Sequence, residues 1–208
     1  MKKMTAIFAM LLAVCLTASA GERAGRAVPL VTGGLDWGFT GTVFNYRHVN
    51  CTAGEGYRIN EVESGWGFHG NAYVLACIGA NVSDRMSVLM ECGYMGINGG
   101  RRINPFMVKA CWHPSGVYSS GAFCFAEGGV GFAVLSNFSG LCSLGSVGWG
   151  YRVNMGDSVS VDFQIRLRAV YDKPDIADPD TGTTIPAGSI HANDAYYGSL
   201  NFGLALNF

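Results

Sequence analysis

The residues most able to do chemistry in this sequence are charged side chains at alternating positions within apolar segments. We assign six of them to one enclosed group: Glu91, Lys109, Glu127, Asp162, Arg166 and Arg168. Such a group could carry protons or ions, or it could be a network of salt bridges. A buried charge without a partner costs several kcal/mol, and the planar fork of arginine binds a carboxylate through two bonds. These costs favour the salt-bridge network, with an ion path as the alternative.

Catalytic and metal-binding patterns are weak elsewhere in the sequence. His113-Pro114-Ser115 holds a histidine and a serine close together, but no acid lies near them in a recognisable arrangement. The segment 178–182 faintly resembles a calcium loop, although the EF-hand spacing and its closing glutamate are absent. We therefore expect no enzymatic activity, no cofactor and no bound metal.

The amino terminus has the pattern of a secretory signal. Lys2 and Lys3 precede an apolar stretch that ends in the small-x-small triplet 18–20. We predict a signal peptide at 1–20, an N-terminal extension at 21–34 and a single domain at 35–208. The formal net charge of the whole chain is −1, which gives no reason to expect nucleic acid as a partner.

Six cysteines follow the predicted signal peptide, and they match no zinc spacing. An exported chain with an even number of cysteines could form disulfides. Cysteine also serves as a small apolar residue within strands, so we expect mostly free thiols while the pairing stays open. The residues are Cys51, Cys77, Cys92, Cys111, Cys124 and Cys142.

Apolar and polar residues alternate along the domain with a period of two, which is the signature of β-strands. Eight such segments occur, at about 35–47, 65–78, 86–96, 103–113, 117–134, 141–153, 158–171 and 199–208. Most are as long as the roughly 9–11 residues that a tilted strand needs to cross a bilayer. Low charge and abundant glycine favour a membrane barrel over a water-soluble β-sandwich, which is the alternative.

The predicted connections tend to alternate in length. Longer ones fall at 48–64, 97–102, 135–140 and 172–194, and short turns fall at 81–84, 114–116 and 154–157. Outer-membrane barrels have short periplasmic turns and longer extracellular loops. The first and last long connections, loop one (48–64) and loop four (172–194), are then the natural places for surface binding.

The final strand carries the most specific motif, Asn201-x-Gly203-x-x-Leu206-x-Phe208. With the eight segments, it resembles the small eight-stranded outer-membrane β-barrels, the family of the OmpA transmembrane domain and OmpX. The resemblance implies an all-β, antiparallel up-and-down barrel in the outer membrane of a Gram-negative bacterium. It also implies that the barrel-assembly machinery recognises this strand. Because the chain stops at Phe208, we expect no peptidoglycan-binding domain.

We predict a monomeric barrel without enzymatic activity, surrounded by lipid and lipopolysaccharide. Its role would be structural, adhesive or a surface interaction through loops one and four with an unidentified extracellular ligand. A channel for small or hydrophobic solutes and a component of an envelope or secretion assembly are the alternatives. Some members of the group modify lipid A with a His-x-Ser pair. Here that pair falls in a predicted periplasmic turn, far from an outer-leaflet ester, so this activity is a weaker alternative.

Overall fold

The computed structural model describes residues 31–54, 56–98, 101–133, 140–155 and 159–208. Eight antiparallel strands form one sheet that closes on itself in sequence order, so the predicted up-and-down barrel is confirmed. The strands are β1 (Val31–Thr52), β2 (Arg58–Asn81), β3 (Met86–Gly96), β4 (Arg102–Trp112), β5 (Gly121–Ala133), β6 (Leu141–Asn154), β7 (Ser160–Asp172) and β8 (Ile190–Asn207). A single turn of 3-10 helix, Ala187–Ser189, precedes β8.

The predicted signal peptide at 1–20 lies outside the described residues, as does most of the predicted extension at 21–34. The described chain begins with β1 at Val31, four residues before the predicted start of the barrel. Within the described residues, no helix is long and apolar enough to cross a membrane.

The last strand closes the barrel because it pairs with both β7 and β1. Backbone hydrogen bonds join Gly33 and Phe208 in both directions, at N···O distances of 3.0 and 2.9 Å. Strand β8 begins at Ile190, well before the predicted start near 199. The terminal strand is therefore longer than its apolar alternation indicates.

Strand lengths are unequal around the barrel. β3 and β4 have 11 residues each, close to one membrane crossing, whereas β1 has 22 and β2 has 24. Loop one was predicted at 48–64, and that prediction is wrong, because strand pairing continues to Thr52↔Arg58 and leaves only 53–57 as a connection. Polar residues such as Glu61 and Glu63 fit a strand here because this part of β2 is exposed on both faces.

A register shift between Thr42 and Phe44, seen against both β2 and β8, inverts the alternation of β1. Before the shift, Thr40 and Thr42 are buried, and beyond it Val49 and Cys51 are buried. An added residue in one strand moves every following side chain to the other face, so this irregularity sets which residues of the distal half point inwards.

The predicted start of the fifth strand at 117 is also wrong. β5 begins at Gly121, and residues 113–120 form a turn in which Gly116 takes a φ of +103°. Val117 is buried in this turn, where its N–H donates to the carbonyl of Asp84 at 2.8 Å. The turn is thus packed over the end of the barrel instead of continuing the sheet.

Candidate functional site

The middle of the barrel interior holds an ionic network around Arg166, whose side chain is fully buried. Its Nη1 lies 3.3 Å from both carboxylate oxygens of Glu127, and its Nη2 donates to Asp36. Arg168 also donates to Glu127, which accepts a further hydrogen bond from Ser146. Two acids are therefore bridged by one arginine, and Glu127 is shared by two arginines.

Lys109 connects this network to the opposite wall. Its Nζ lies 3.0 Å from Glu91 Oε1 and 3.3 Å from Asp36 Oδ2, and it donates to Gln164 Oε1 at 2.9 Å. The ammonium also lies 4.5 Å from the centre of the Phe125 ring, a favourable cation–π distance. Glu91 is thereby joined to the same network through a single lysine.

Asp162, the last of the six predicted charges, belongs to a separate pair. Nε and Nη2 of Arg152 each lie 2.7 Å from one oxygen of Asp162, a bidentate geometry that holds both side chains in register. Nη1 of Arg152 donates to the carbonyl of Val117 at 2.7 Å, and Asn207 donates to Asp162 at 2.9 Å. This pair fastens the turn at 113–120 across the barrel mouth.

The structure thus places all six predicted charges inside the barrel, five of them in one network and Asp162 in the pair with Arg152. Sequence reasoning missed Asp36 and Arg152, which are 0% and 7% exposed. The signal was present, because Asp36 precedes the outward Trp37 and Arg152 follows the outward Tyr151 in strands of period two. The interior therefore contains four acids and four bases in these two groups.

Apolar side chains fill the barrel interior beyond the ionic network. The cluster is Tyr73, Leu75, Met95, Ile97, Ile103, Met107, Cys142, Leu144 and Val170, none more than 6% exposed. The Tyr73 hydroxyl donates to Asp36 Oδ1 at 3.1 Å, so the apolar and ionic layers are in direct contact. Arg101 pairs with the fully buried Asp172 beyond them. Among the described residues, the interior is packed by side chains along its length.

The end of the barrel that carries the long β1–β2 hairpin is capped by the β7–β8 connection, residues 173–189. Its two isoleucines, Ile176 and Ile185, pack against Val49 and Cys51 of β1. The Asp178 carboxylate accepts hydrogen bonds from the backbone of Gly54 in the opposite hairpin, at 2.8 Å, and from the backbone of its own turn. These bonds to the charged form lower the pKa of Asp178 below its ordinary value of 3.8.

The four residues of the terminal motif occupy both faces of β8. Asn201 is fully buried and Phe208 is 62% exposed. An added Cβ on Gly203 would lie 1.9 Å from the Tyr73 hydroxyl oxygen, so only glycine leaves room there. Leu206 is half-buried, opposite Leu35 of β1 and Val161 of β7. Recognition of this strand by the assembly machinery stays a prediction.

The histidines lie apart from one another in the fold. His113 is buried in the 113–120 turn, stacked on Phe123 at 4.8 Å, and Ser115 of the same turn is exposed. His191 lies within 3.3 Å of the Thr52 hydroxyl at the opposite end. His69, which we expected to be enclosed, pairs with Thr42 and is exposed because β3 does not reach it.

The remaining reactive side chains are the cysteines and the residues that could in principle bind a metal ion. All six cysteines of the described residues are free thiols, with Cys92 exposed, Cys124 half-buried and the other four buried. No group of three or more His, Cys, Asp or Glu side chains in the described ranges is placed to hold a metal ion.

Comparison with known proteins finds similarity at the level of structure. No protein-family model matches the chain, and no curated protein matches it. The outer membrane protein OprG from Pseudomonas aeruginosa aligns over 86% of this chain and 96% of its own, at 11% identity and a TM-score of 0.48. The outer membrane protein AlkL, solved in lipid bilayers, aligns over 91% and 97%, at 13% identity and a TM-score of 0.42. The chain is similar to these two outer membrane proteins in fold.

Proposed function

We propose that this protein is an exported, non-enzymatic outer-membrane barrel of a Gram-negative bacterium, similar to the OmpA and OmpX class of small barrels, that acts at the cell surface. Residues 1–20 would direct its export. Lipid and lipopolysaccharide would surround the barrel, and the barrel-assembly machinery would insert it through β8. The proposal rests on one observation: the barrel has an apolar outer surface, charged side chains packed in its interior, and strands that extend beyond the membrane-spanning height at one end only.

The outer surface supports a membrane location. In β3, β5, β6 and β7, every charged side chain of the strands faces inwards, whereas the outward face carries apolar and small side chains. Among the latter, Trp149, Phe163 and Ile165 are 60%, 53% and 47% exposed. An exposed apolar surface of this extent would be unstable in water and is the surface that lipid requires.

The two ends of the barrel support its orientation. One end carries the tip of the β1–β2 hairpin and the 173–189 cap. The other end carries the start of β1, the end of β8 and the turn at 113–120. Short turns face the periplasm and long extensions face outwards in outer-membrane barrels. The long hairpin would therefore stand at the cell surface, where it can meet an extracellular partner.

The packed interior argues for a surface role rather than conduction. An ion passing through the barrel would have to displace the network around Arg166 and then the apolar layer around Tyr73. Separating buried ion pairs costs several kcal/mol, so a static lumen of this kind is closed. The charged interior is then a structural device that fixes the strands against one another.

The test is made on the purified, refolded full-length protein and on intact cells. We expect compact gel mobility before boiling, recovery in the outer-membrane fraction and no stepwise conductance in planar bilayers. Protease added to intact cells should cut within 53–57 and spare the turn at 113–120. Steady conductance or uptake of a hydrophobic solute would replace the proposal with a channel, and altered acylation of added lipid A would replace it with an enzyme. Crosslinking to one envelope complex in intact cells would instead assign it to an assembly.

A further inference from the structure

The distal half of β2 has a neighbour on one side only. β2 pairs with β1 from Arg58 onwards, whereas its pairing with β3 begins at Tyr73. Residues 58–72 therefore present fifteen residues of strand edge to which no described residue pairs, and we call this segment the free edge. The β3 chain turns away near Ile97, whose carbonyl accepts a hydrogen bond from Asn71 at 3.2 Å.

The free edge lacks two of the features that most strongly prevent an edge strand from pairing. Natural edge strands are blocked by proline, by charged side chains and lysine above all, by β-bulges or by a covering loop, because unpaired N–H and C=O groups recruit another strand. Residues 58–72 contain no proline and no lysine. They instead expose Trp66, Phe68 and Val62, which are 82%, 68% and 60% exposed.

Within the described ranges, no segment of the same chain pairs with the free edge. The β3–β4 connection spans only 97–101 and the β5–β6 connection only 134–140, and both are much shorter than fifteen residues. β1 begins at Val31, at the opposite end of the barrel. These lengths favour an occupant from another chain.

A second copy in the same membrane is excluded by symmetry. Two identical edges can pair only as antiparallel strands, because parallel neighbours use opposite edges and the other edge of β2 is occupied by β1. The two-fold axis of such a pair is perpendicular to the sheet, so it would turn the second barrel upside down. Copies inserted in the same direction cannot meet in this way.

The side chains of the free edge define the chemistry of the occupant. Glu61 and Glu63 are exposed and lie on one face, opposite Val49 and Arg47 of β1. Trp66 lies on the other face, where it packs on Phe44 at 5.3 Å between ring centres. A strand added here would meet carboxylates on one face and aromatic surface on the other.

We propose that the free edge binds an extended polypeptide segment of a different protein by strand addition, in the position that a longer β3 would occupy. Its basic side chains would face Glu61 and Glu63, and its alternate apolar side chains would lie beside Trp66 and Val62. Main-chain hydrogen bonds would supply affinity and the alternating side chains would supply specificity. This names a partner class for the surface role proposed above, and it rests on that role.

The probe is a synthetic peptide of alternating lysine and valine, about eleven residues long, titrated against the refolded full-length protein at roughly 0.15 M salt. Hydrogen exchange should slow within 58–72 and remain unchanged in β5. Replacing Glu61 and Glu63 together by lysine should weaken binding by about tenfold or more and should favour a glutamate–valine peptide instead. The matched control, Asn60→Lys with Ser64→Lys on the opposite face, should change binding by less than about threefold.

Two further peptides make the proposal refutable. A scrambled peptide of the same composition and a peptide N-methylated at alternate residues should both fail to protect 58–72, because they lack the alternation or the N–H groups that strand addition needs. Equal binding of either one would show adsorption by charge alone and would overturn the proposal. Absence of any protection by the alternating peptide would overturn it as well, while gel mobility and conductance of the same preparation would still report separately on the barrel.

Discussion

Replacing Arg166 with leucine tests whether the interior network holds the barrel together. Arg166 is fully buried, contacts Asp36 and Glu127, and lies 5.0 Å from the Tyr73 ring centre. Removing one partner of a buried ion pair costs about 3–5 kcal/mol, because the remaining charge stays desolvated. Asp36 retains Lys109 as a second base. We therefore expect a loss near the lower end, about 3 kcal/mol.

The measurement is the urea midpoint for unfolding of the barrel in detergent. Unfolding is detected by tryptophan fluorescence and by the shift in gel mobility. With a slope of about 1–3 kcal/mol per molar urea, the midpoint should fall by roughly 1–3 M. Arg58→Leu is the matched control, because Arg58 is exposed and should change stability by less than about 0.5 kcal/mol. Adding Asp36→Asn to Arg166→Leu should restore part of the loss, because without Arg166 the single base Lys109 must compensate both Asp36 and Glu91, whereas Glu127 keeps Arg168. An Arg166→Leu variant that unfolds at the parental midpoint would refute the network's structural role.

Three further predictions concern positions outside this network. Gly203→Ala should reduce the folded fraction on refolding, because the added methyl meets the Tyr73 hydroxyl, while Gly145→Ala, with open space around it, should refold normally. Burial lowers the pKa of His113 from 6.5 to about 4, so the unfolded chain binds the proton more tightly than the folded one. The free energy of unfolding should therefore fall by up to about 3 kcal/mol as the pH drops from about 6.5 to 4. In His113→Phe this part of the pH dependence should vanish. Asp178→Ala should speed hydrogen exchange in 173–189 without changing the urea midpoint, and unchanged exchange would show that the cap is held by its isoleucines alone.

Periodicity was enough to predict the eight strands and the inward face of the six charged residues chosen from the sequence. Leu167 and Arg168 illustrate why, since a lipid-facing side chain and a lumen-facing one must alternate when both environments are demanding. Asp36 and Arg152 obeyed the same rule and could have been found with it. The pairing of particular charges could not be predicted, because the register between strands distant in sequence decides which arginine contacts which carboxylate.

The distal half of the β1–β2 hairpin was not predictable for a different reason. Beyond Trp66, both faces of β2 meet water, so no contrast between environments imposes an apolar–polar alternation. The register shift between Thr42 and Phe44 also inverts β1 at this level, and the local residues Gly41, Thr42 and Val43 carry no distinctive signal for it. The polar stretch therefore has the composition of a loop, although its backbone is paired.

The unequal lengths of the strands separate stability from function in this molecule. Strands of about eleven residues complete a membrane crossing, and the ionic and apolar layers lie within that height, so the added length of β1 and β2 contributes little to holding the barrel closed.

The added length is itself held by contacts with the 173–189 cap on its inner face, through Val49 and Cys51. Those contacts hold β1, whose pairing with β2 keeps β2 extended, and they leave the side of β2 opposite to β1 uncovered. A strand kept extended in this way has lost its conformational entropy before a partner arrives, which lowers the cost of adding another strand to it. Loosening the cap should therefore weaken peptide binding at 58–72 while the barrel stays folded, a coupling that a purely structural hairpin would not show.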